Sequence, residues 1–437
     1  IACILLMVIV VTVVAGGQLV DPAMTRVFES IYCKQYYEKH DPSKIGRNGQ
    51  VSEEYCKISK VQGNVALLQG WQLTFDSIGS LIFSIPWGWF ADKYGRWPVL
   101  LLVMAGFVFQ SGWKMIVCWF ADTLPIRLSW LSALHAITGS SPVASAMLFT
   151  MLADMVDESE RITMFYRLGA AQMISQFIVP SLTAWLMTYN PWIPQFLGLL
   201  VQGAAVGIVF AVPETLNYHK NQNTDSLESA ETPALSGFNK QNFLSGIKSS
   251  FSFITADIRI ILLIPTFFIH MLLYASNLVL LLYTSTRYGI SISQSTLLVS
   301  IRSGMLTLVL LVILPFITSL LHHPAQRKDL ILSRASALIM ALGFLTTASA
   351  PNVPLFLVAC AIYNLGGGLM FLLRSLLTSL VEPHHVGRLY TTLGVIENVG
   401  LIVGAPLLAE LFRIGVKWGG NWIGLPFLAC AGLVAAV

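Results

Sequence analysis

Helical spacing places Gln69, Gln72, Asp76 and Ser80 on one face, a polar stripe with a carboxylate near its centre. The stripe lies inside a long apolar run. An ionisable group at the middle of a bilayer costs about 2.5–3.5 kcal/mol on insertion scales, so it marks a functional position by default. An acid there is suited to taking up and releasing a proton or to touching a polar solute; the alternative is a structural hydrogen bond between helices. His135 and His270 stand in other apolar runs and belong to the residue type that changes charge near neutral pH. His270, Tyr274 and Asn277 share one helical face, as do Gln172 and Gln176, and both sets are candidates for lining a cavity. Arg302 has no partner evident in the sequence and suits an anionic solute, with snorkelling or pairing to Asp76 as the alternatives. Lys114 is expected to snorkel to the membrane interface. Arg374 and Glu397 fall at the same depth, roughly 12 Å from the ends of their helices, and are expected to pair. These groups bind, titrate and hold charge. No nucleophile–base pair, metal-ligand spacing or phosphate-cradling loop accompanies them, so the expectation is no enzyme, no cofactor and no metal.

The elements that position these groups must cross a membrane. The chain has 437 residues, 55% of them hydrophobic and 11% charged, against about 25% charged in soluble domains. Apolar runs occur at roughly 1–20, 65–90, 98–120, 129–155, 164–189, 192–212, 258–286, 293–320, 331–350, 354–381, 389–412 and 421–437. In hydrocarbon each backbone must satisfy its own hydrogen bonds, and runs of this length do so as helices. The polar segment Asn221–Pro233 reads as a tether that divides these spans six and six. The expected organisation is an all-α membrane protein of twelve transmembrane helices in two pseudo-symmetric six-helix bundles, residues 1–212 and 253–437, joined by a cytoplasmic linker, 213–252. The net charge of +4 is too small and scattered for a nucleic-acid surface. The chain starts and stops inside apolar runs, so its natural termini are expected to lie further out. Cys33 and Cys56 both fall in the polar stretch Asp21–Gly63 and form either a disulfide or two free thiols.

Between the second and third runs lies Gly88–Trp89–Phe90–Ala91–Asp92–Lys93–Tyr94–Gly95–Arg96–Trp97–Pro98. The pattern Gly-x-x-Ala-Asp-Lys-x-Gly-Arg resembles the loop between helices 2 and 3 of the major facilitator superfamily, which implies two six-helix bundles alternating around a central site. Gly88 is expected to permit close helix approach, Gly95 a tight turn, and Asp92 and Arg96 to act as a switchable latch. The resemblance implies that Asp92 meets the start of the eleventh helix near Tyr390–Thr392, where a helix N-terminus favours an anion, and that Arg96 pairs with Asp154. Where the family usually has a second basic residue, this chain has Trp97, expected either to weaken the latch or to anchor at the interface. The order Asp154, Arg161, Gly169 returns as Glu382, Arg388, Gly394, an internal repeat of the kind two parallel bundles predict. Placing the turn inside puts twelve Lys and Arg on the cytoplasmic side against four outside it, the long first loop apart.

The resemblance implies a secondary transporter. The turn and the cysteine-bearing loop are similar to the proton-coupled folate transporter branch and its fungal-type relatives. Two signatures of drug/proton antiporters are missing. His135 before Gly139 stands where that group carries an Arg, and Val179–Pro180–Ser181–Leu182–Thr183–Ala184 replaces its Gly-Pro and Gly-Gly pairs. The expectation is therefore proton symport of a small anionic or amphipathic organic solute. Proton-exchange efflux of drugs or secondary metabolites is the alternative, and a transport-dead membrane sensor a third reading. The partners expected are a small-molecule substrate, protons and the lipid bilayer, with no nucleic acid. A monomer is expected, in the plasma membrane or in a vacuolar or other internal membrane.

Overall fold

The protein is seen in a computed structural model that describes residues 2–47, 49–156, 158–215, 258–320, 325–381 and 386–436. Glu382, the linker beyond Thr215, and the side chains of Asp92, Arg161 and Arg388 lie outside the described residues. Twelve membrane helices form two bundles of six. They are α1 (Ala2–His40), α2 (Ser59–Tyr94), α3 (Arg96–Trp119), α4 (a 3-10 stretch Ile126–Thr138, then Ser141–Met155), α5 (Glu158–Met187) and α6 (Trp192–Val209). The second half holds α7 (Ile258–Tyr274 and Ser276–Tyr288), α8 (Ile292–Leu308, continuing to Leu320), α9 (Ala325–Ser349), α10 (Val353–Leu365 and Leu369–Ser379), α11 (Val386–Trp418) and α12 (Leu425–Ala435).

Among the described residues, nine helices are long and apolar enough to cross a membrane on composition alone. The others are instructive. α12 belongs to a shorter apolar stretch, Gly420–Ala435. α2 and α5 carry the glutamines, acids and hydroxyls singled out above, which lower their hydropathy because one face of each is not presented to lipid.

α1 departs from expectation. The first span was expected to end at Val20 and give way to a polar loop, yet the helix runs on through Pro22 to His40. Its charged residues are matched by neighbours that only the fold supplies. Arg26 lies 3.0 Å from Glu53, and Glu29 lies 2.8 Å from Lys57. Only then does the chain leave the helix, through a short segment whose Cys56 is joined back to Cys33 on α1, with Cα atoms 5.3 Å apart.

The halves meet mainly through α2 against α11 and α5 against α8. Small residues let these backbones approach: a Cβ on Gly70 would press on Ala409 and on the Ala405 carbonyl. Hydrogen bonds then cross between the halves, from Thr74 to the Ile402 carbonyl at 3.3 Å, between Ser181 and Ser300 at 2.7 Å, and from Ser293 to the Ala184 carbonyl at 2.5 Å. All of these lie at mid-membrane or toward the Cys33–Cys56 loop.

Candidate functional site

A cavity of about 300 Å³ lies between the halves, lined from α1, α2, α3, α5, α7 and α8. Asp76 stands in it. Its carboxylate accepts hydrogen bonds from Gln72 Nε2 at 3.3 Å and from Gln110 Nε2 at 3.1 Å. His135 Nδ1 lies 3.7 Å away, held 3.1 Å from the Ser132 carbonyl oxygen, and the ring is buried. Gln72 also donates to Ser132 Oγ at 2.7 Å, which ties α2 to the 3-10 stretch of α4. Gln69 donates to Thr25 on α1 at 2.7 Å, and Ser140 donates to Ser80 at 2.8 Å. The stripe along α2, with the acid at its middle, therefore reaches both α1 and α4, and the acid itself reaches α3.

Asp76 and Lys114 are equidistant in sequence from Gly95, where the α2–α3 hairpin turns, so they stand at the same height. Lys114 lines the cavity, 8% exposed, with its Nζ 3.8 Å from Asp21 on α1. The expectation that it snorkels to the interface is corrected. α2 and α1 extend well past the end of α3, so what looks like a helix end in sequence is inside the protein.

Arg302 also departs from expectation. Its guanidinium donates to Asn277 Oδ1 at 2.5 Å and lies over the Tyr363 ring, 4.6 Å from the centroid, facing into the second bundle. It is absent from the central cavity lining, whereas Asn277 lines it. The shared face of His270, Tyr274 and Asn277 is split. His270 borders a separate cavity of about 230 Å³ with Ser333 and Arg334, and Tyr274 is exposed. The regular helix is interrupted at Ala275, between Tyr274 and Ser276, so spacing alone does not carry a face across it. Gln172 and Gln176 also part company: Gln172 lines a pocket among α1, α3 and α4, and Gln176 is half-buried.

At the other end of α2 the turn is built on Gly95, whose φ of +112° few residues other than glycine adopt. Arg96 forms an ion pair with Asp154 on α4 and donates to the Thr150 carbonyl at 3.4 Å. Gly88 does not mediate a close approach: a Cβ there would find open space among the described residues. Trp97 is tied to α6, its Nε1 donating to the Val209 carbonyl at 2.8 Å. Glu214, at the centre of a Pro-Glu-Thr that follows α6 and resembles a family ending, is a residue to which sequence reasoning gave no role. It accepts the backbone N–H groups of Arg96 at 3.1 Å and Trp97 at 3.0 Å, capping α3 with a carboxylate. The expected contact of Asp92 with α11, and the repeat residues Arg161, Glu382 and Arg388, rest on groups outside the described residues. Arg374 and Glu397, placed at one depth by residue counting, lie 2.6 Å apart.

On the loop side a second charged cluster forms. Glu29, fully buried, takes Lys57 at 2.8 Å, Gln62 Nε2 at 2.6 Å and Arg26 at 3.1 Å. Glu53 takes Arg26 at 3.0 Å and Lys57 at 2.9 Å, and accepts the backbone N–H of Ile292 at 2.7 Å, the first turn of α8 in the other half. Burial alone would raise its pKa, but Arg26, Lys57 and the Ile292 N–H outweigh that and hold it below the usual carboxylate value.

The sequence model of the Major Facilitator Superfamily matches residues 57–405, most of the chain and both halves. The chain belongs to the major facilitator superfamily. It is 35% identical over 434 residues to the MFS efflux pump atnC of Emericella nidulans, covering 97% of this chain and 83% of that one. To the MFS-type transporter aprT of Aspergillus flavus it is 30% identical over 435 residues, covering 99% and 86%. The crystal structure of the nucleoside transporter NupG superposes with a TM-score of 0.63 at 13% identity, covering 98% of this chain and 96% of that one. At that identity the likeness concerns the fold. The protein is thus a superfamily transporter, a multi-pass membrane protein and not an enzyme.

Proposed function

We propose that this superfamily member exports an amphipathic organic solute in exchange for protons, with Asp76 as the proton-carrying group. The cluster of half-buried Asp76, Gln72 and Gln110 lining the cavity, backed by the buried His135, carries the reading. An acid inside a membrane helix is suited to carrying a proton, and the neighbouring amides and imidazole give it hydrogen-bonding partners. The apolar wall of Met24, Phe28, Leu73, Leu278 and Leu281 suits the apolar body of the solute. Export rather than uptake is favoured by the likeness to a relative named an efflux pump. The α2–α3 turn, held in shape by Arg96, Asp154 and Glu214, then presents Asp92 to α11 as the cytoplasmic gate. The monomer expected from the sequence is kept, in the plasma membrane.

Proteoliposomes with an imposed pH gradient and a panel of amphipathic solutes test this. Uptake driven by an acidic interior is expected, lost in Asp76→Asn while solute-for-solute counterflow persists. Uptake driven instead by an acidic exterior makes the protein a symporter, the expectation from the sequence. Flux of no solute under either gradient leaves the transport-dead sensor.

A further inference from the structure

Lys114 is buried in the wall of the central cavity without a hydrogen-bonding partner among the described residues. Its Nζ has one described carboxylate within ion-pair range, Asp21 at 3.8 Å, which is too far for a hydrogen bond. The Asp21 side chain is 74% exposed, so its charge is already solvated. Asp76 does not serve instead: within ion-pair range Lys114 has only Asp21 among the described residues, and the Asp76 carboxylate takes Gln72 and Gln110. A nearly buried ammonium calls for a charge-assisted acceptor. Gln72 lines the same cavity, and its Oε1 is buried with no hydrogen-bond partner among the described residues, although the amide's Nε2 is fully used. One cation thus lacks an acceptor and one carbonyl lacks a donor, on adjoining walls of one cavity.

We propose that Lys114 is the group that selects the solute's charge: it binds an acidic group on the solute, a carboxylate or an acidic phenol, displacing Asp21. Gln72 Oε1 accepts a hydrogen bond from an N–H or O–H on the same solute, and the solute's apolar body lies against Phe28, Leu73 and Leu281. Arg302, turned toward Asn277 and Tyr363, takes no part. Asp21, 3.8 Å from the ammonium and too far to hydrogen-bond it, is only a weak electrostatic competitor for the acid. The proposal rests on the cavity being the transport site and adds the chemistry that the site prefers.

The test is binding to the purified full chain in detergent, without a gradient, so its outcome is separate from the direction and coupling of transport. The probes are 1-naphthylacetate and indole-3-propionate, each beside its primary amide, read by isothermal calorimetry and thermal shift. Each acid is expected to bind at least about ten-fold more tightly than its amide, the worth of one charge-assisted hydrogen bond. Lys114→Gln is expected to abolish that preference and Lys114→Arg to retain it. Asp21→Asn is expected to tighten acid binding and leave amide binding unchanged. Equal binding of acids and amides, a preference surviving in Lys114→Gln, or no binding of either acid overturns the proposal. Should Lys114→Gln fail to fold, Asp21→Asn decides: acid affinity unchanged in that variant is equally fatal.

Discussion

Two charged clusters stand at opposite ends of the first bundle, and they are wired differently. At the turn side, the ion pair of Arg96 with Asp154 and the capping of α3 by Glu214 join parts of one half. At the loop side, Glu53 is held by Arg26 and Lys57 in the first half but accepts the N–H of Ile292 in the second. The first cluster shapes a bundle. The second ties two bundles together. In a protein that works by rocking one half against the other, contacts inside a half persist through the cycle, while contacts between halves must break. A carboxylate on a helix N-terminus suits the second task, since it is strong enough to favour one state and yields when the helix moves away.

The comparison breaks most readily at the turn. Arg96→Ala leaves the half-buried Asp154 unpaired, and a loss of about 3–5 kcal/mol in the stability of the first bundle is expected. Thermal unfolding in detergent reads it, and an unchanged midpoint shows that the pair is not structural. Removing the Cys33–Cys56 link, which closes a separation of 23 residues, is expected to cost the loop about 2–4 kcal/mol. The readout is faster proteolysis of the Asp41–Ile58 segment, with the helical midpoint little affected. A drop in the whole midpoint instead makes the loop part of the bundle.

Glu53→Gln sharpens the comparison further. It weakens one charge-assisted bond between the halves by about 1.5–3 kcal/mol. Loop-side access is expected to rise at least about ten-fold, read as the labelling rate of a cysteine placed in the central cavity, with the unfolding midpoint nearly constant. Equal labelling of variant and wild type removes Glu53 from gating. The smallest effect concerns pH. Glu53 has a folded pKa below its unfolded one, so its contribution is present above the unfolded value and is lost only as pH falls through the lowered folded value. Between about pH 5 and 8 the labelling ratio of Glu53→Gln to wild type is therefore expected to stay flat. A ratio that converges toward one on approaching pH 5 shows that the acid titrates higher.

Hydropathy alone located the spans, because membrane helices are set by length and by the need to satisfy the backbone, which are local properties. The charged turn was legible for a similar reason: Gly95 and its neighbours are specified by a conformation a few residues long. Residue counting put Arg374 and Glu397 at one depth, since rise per residue is fixed along a helix. Counting could not say which way a side chain faces once helices are interrupted or unequal in length. The break at Ala275 separates His270 from Asn277, and Arg302 finds Asn277 and Tyr363, both far away in sequence. Lys114 looked like a residue at a helix end because nothing in α3 shows that α1 and α2 run past it.

What the sequence determined by itself, then, was the class of molecule, its membrane helices, the turn that marks its superfamily and the presence of an acid at mid-membrane. Tertiary structure decided which polar groups share a cavity: Asp76 with Lys114 rather than with Arg302, Glu214 with the start of α3, and Glu53 with the opposite half. The division is physical. Helix formation in a bilayer follows from each segment's own composition. The partner of a buried charge depends instead on helix lengths, crossings and rotations that only the packed bundle fixes.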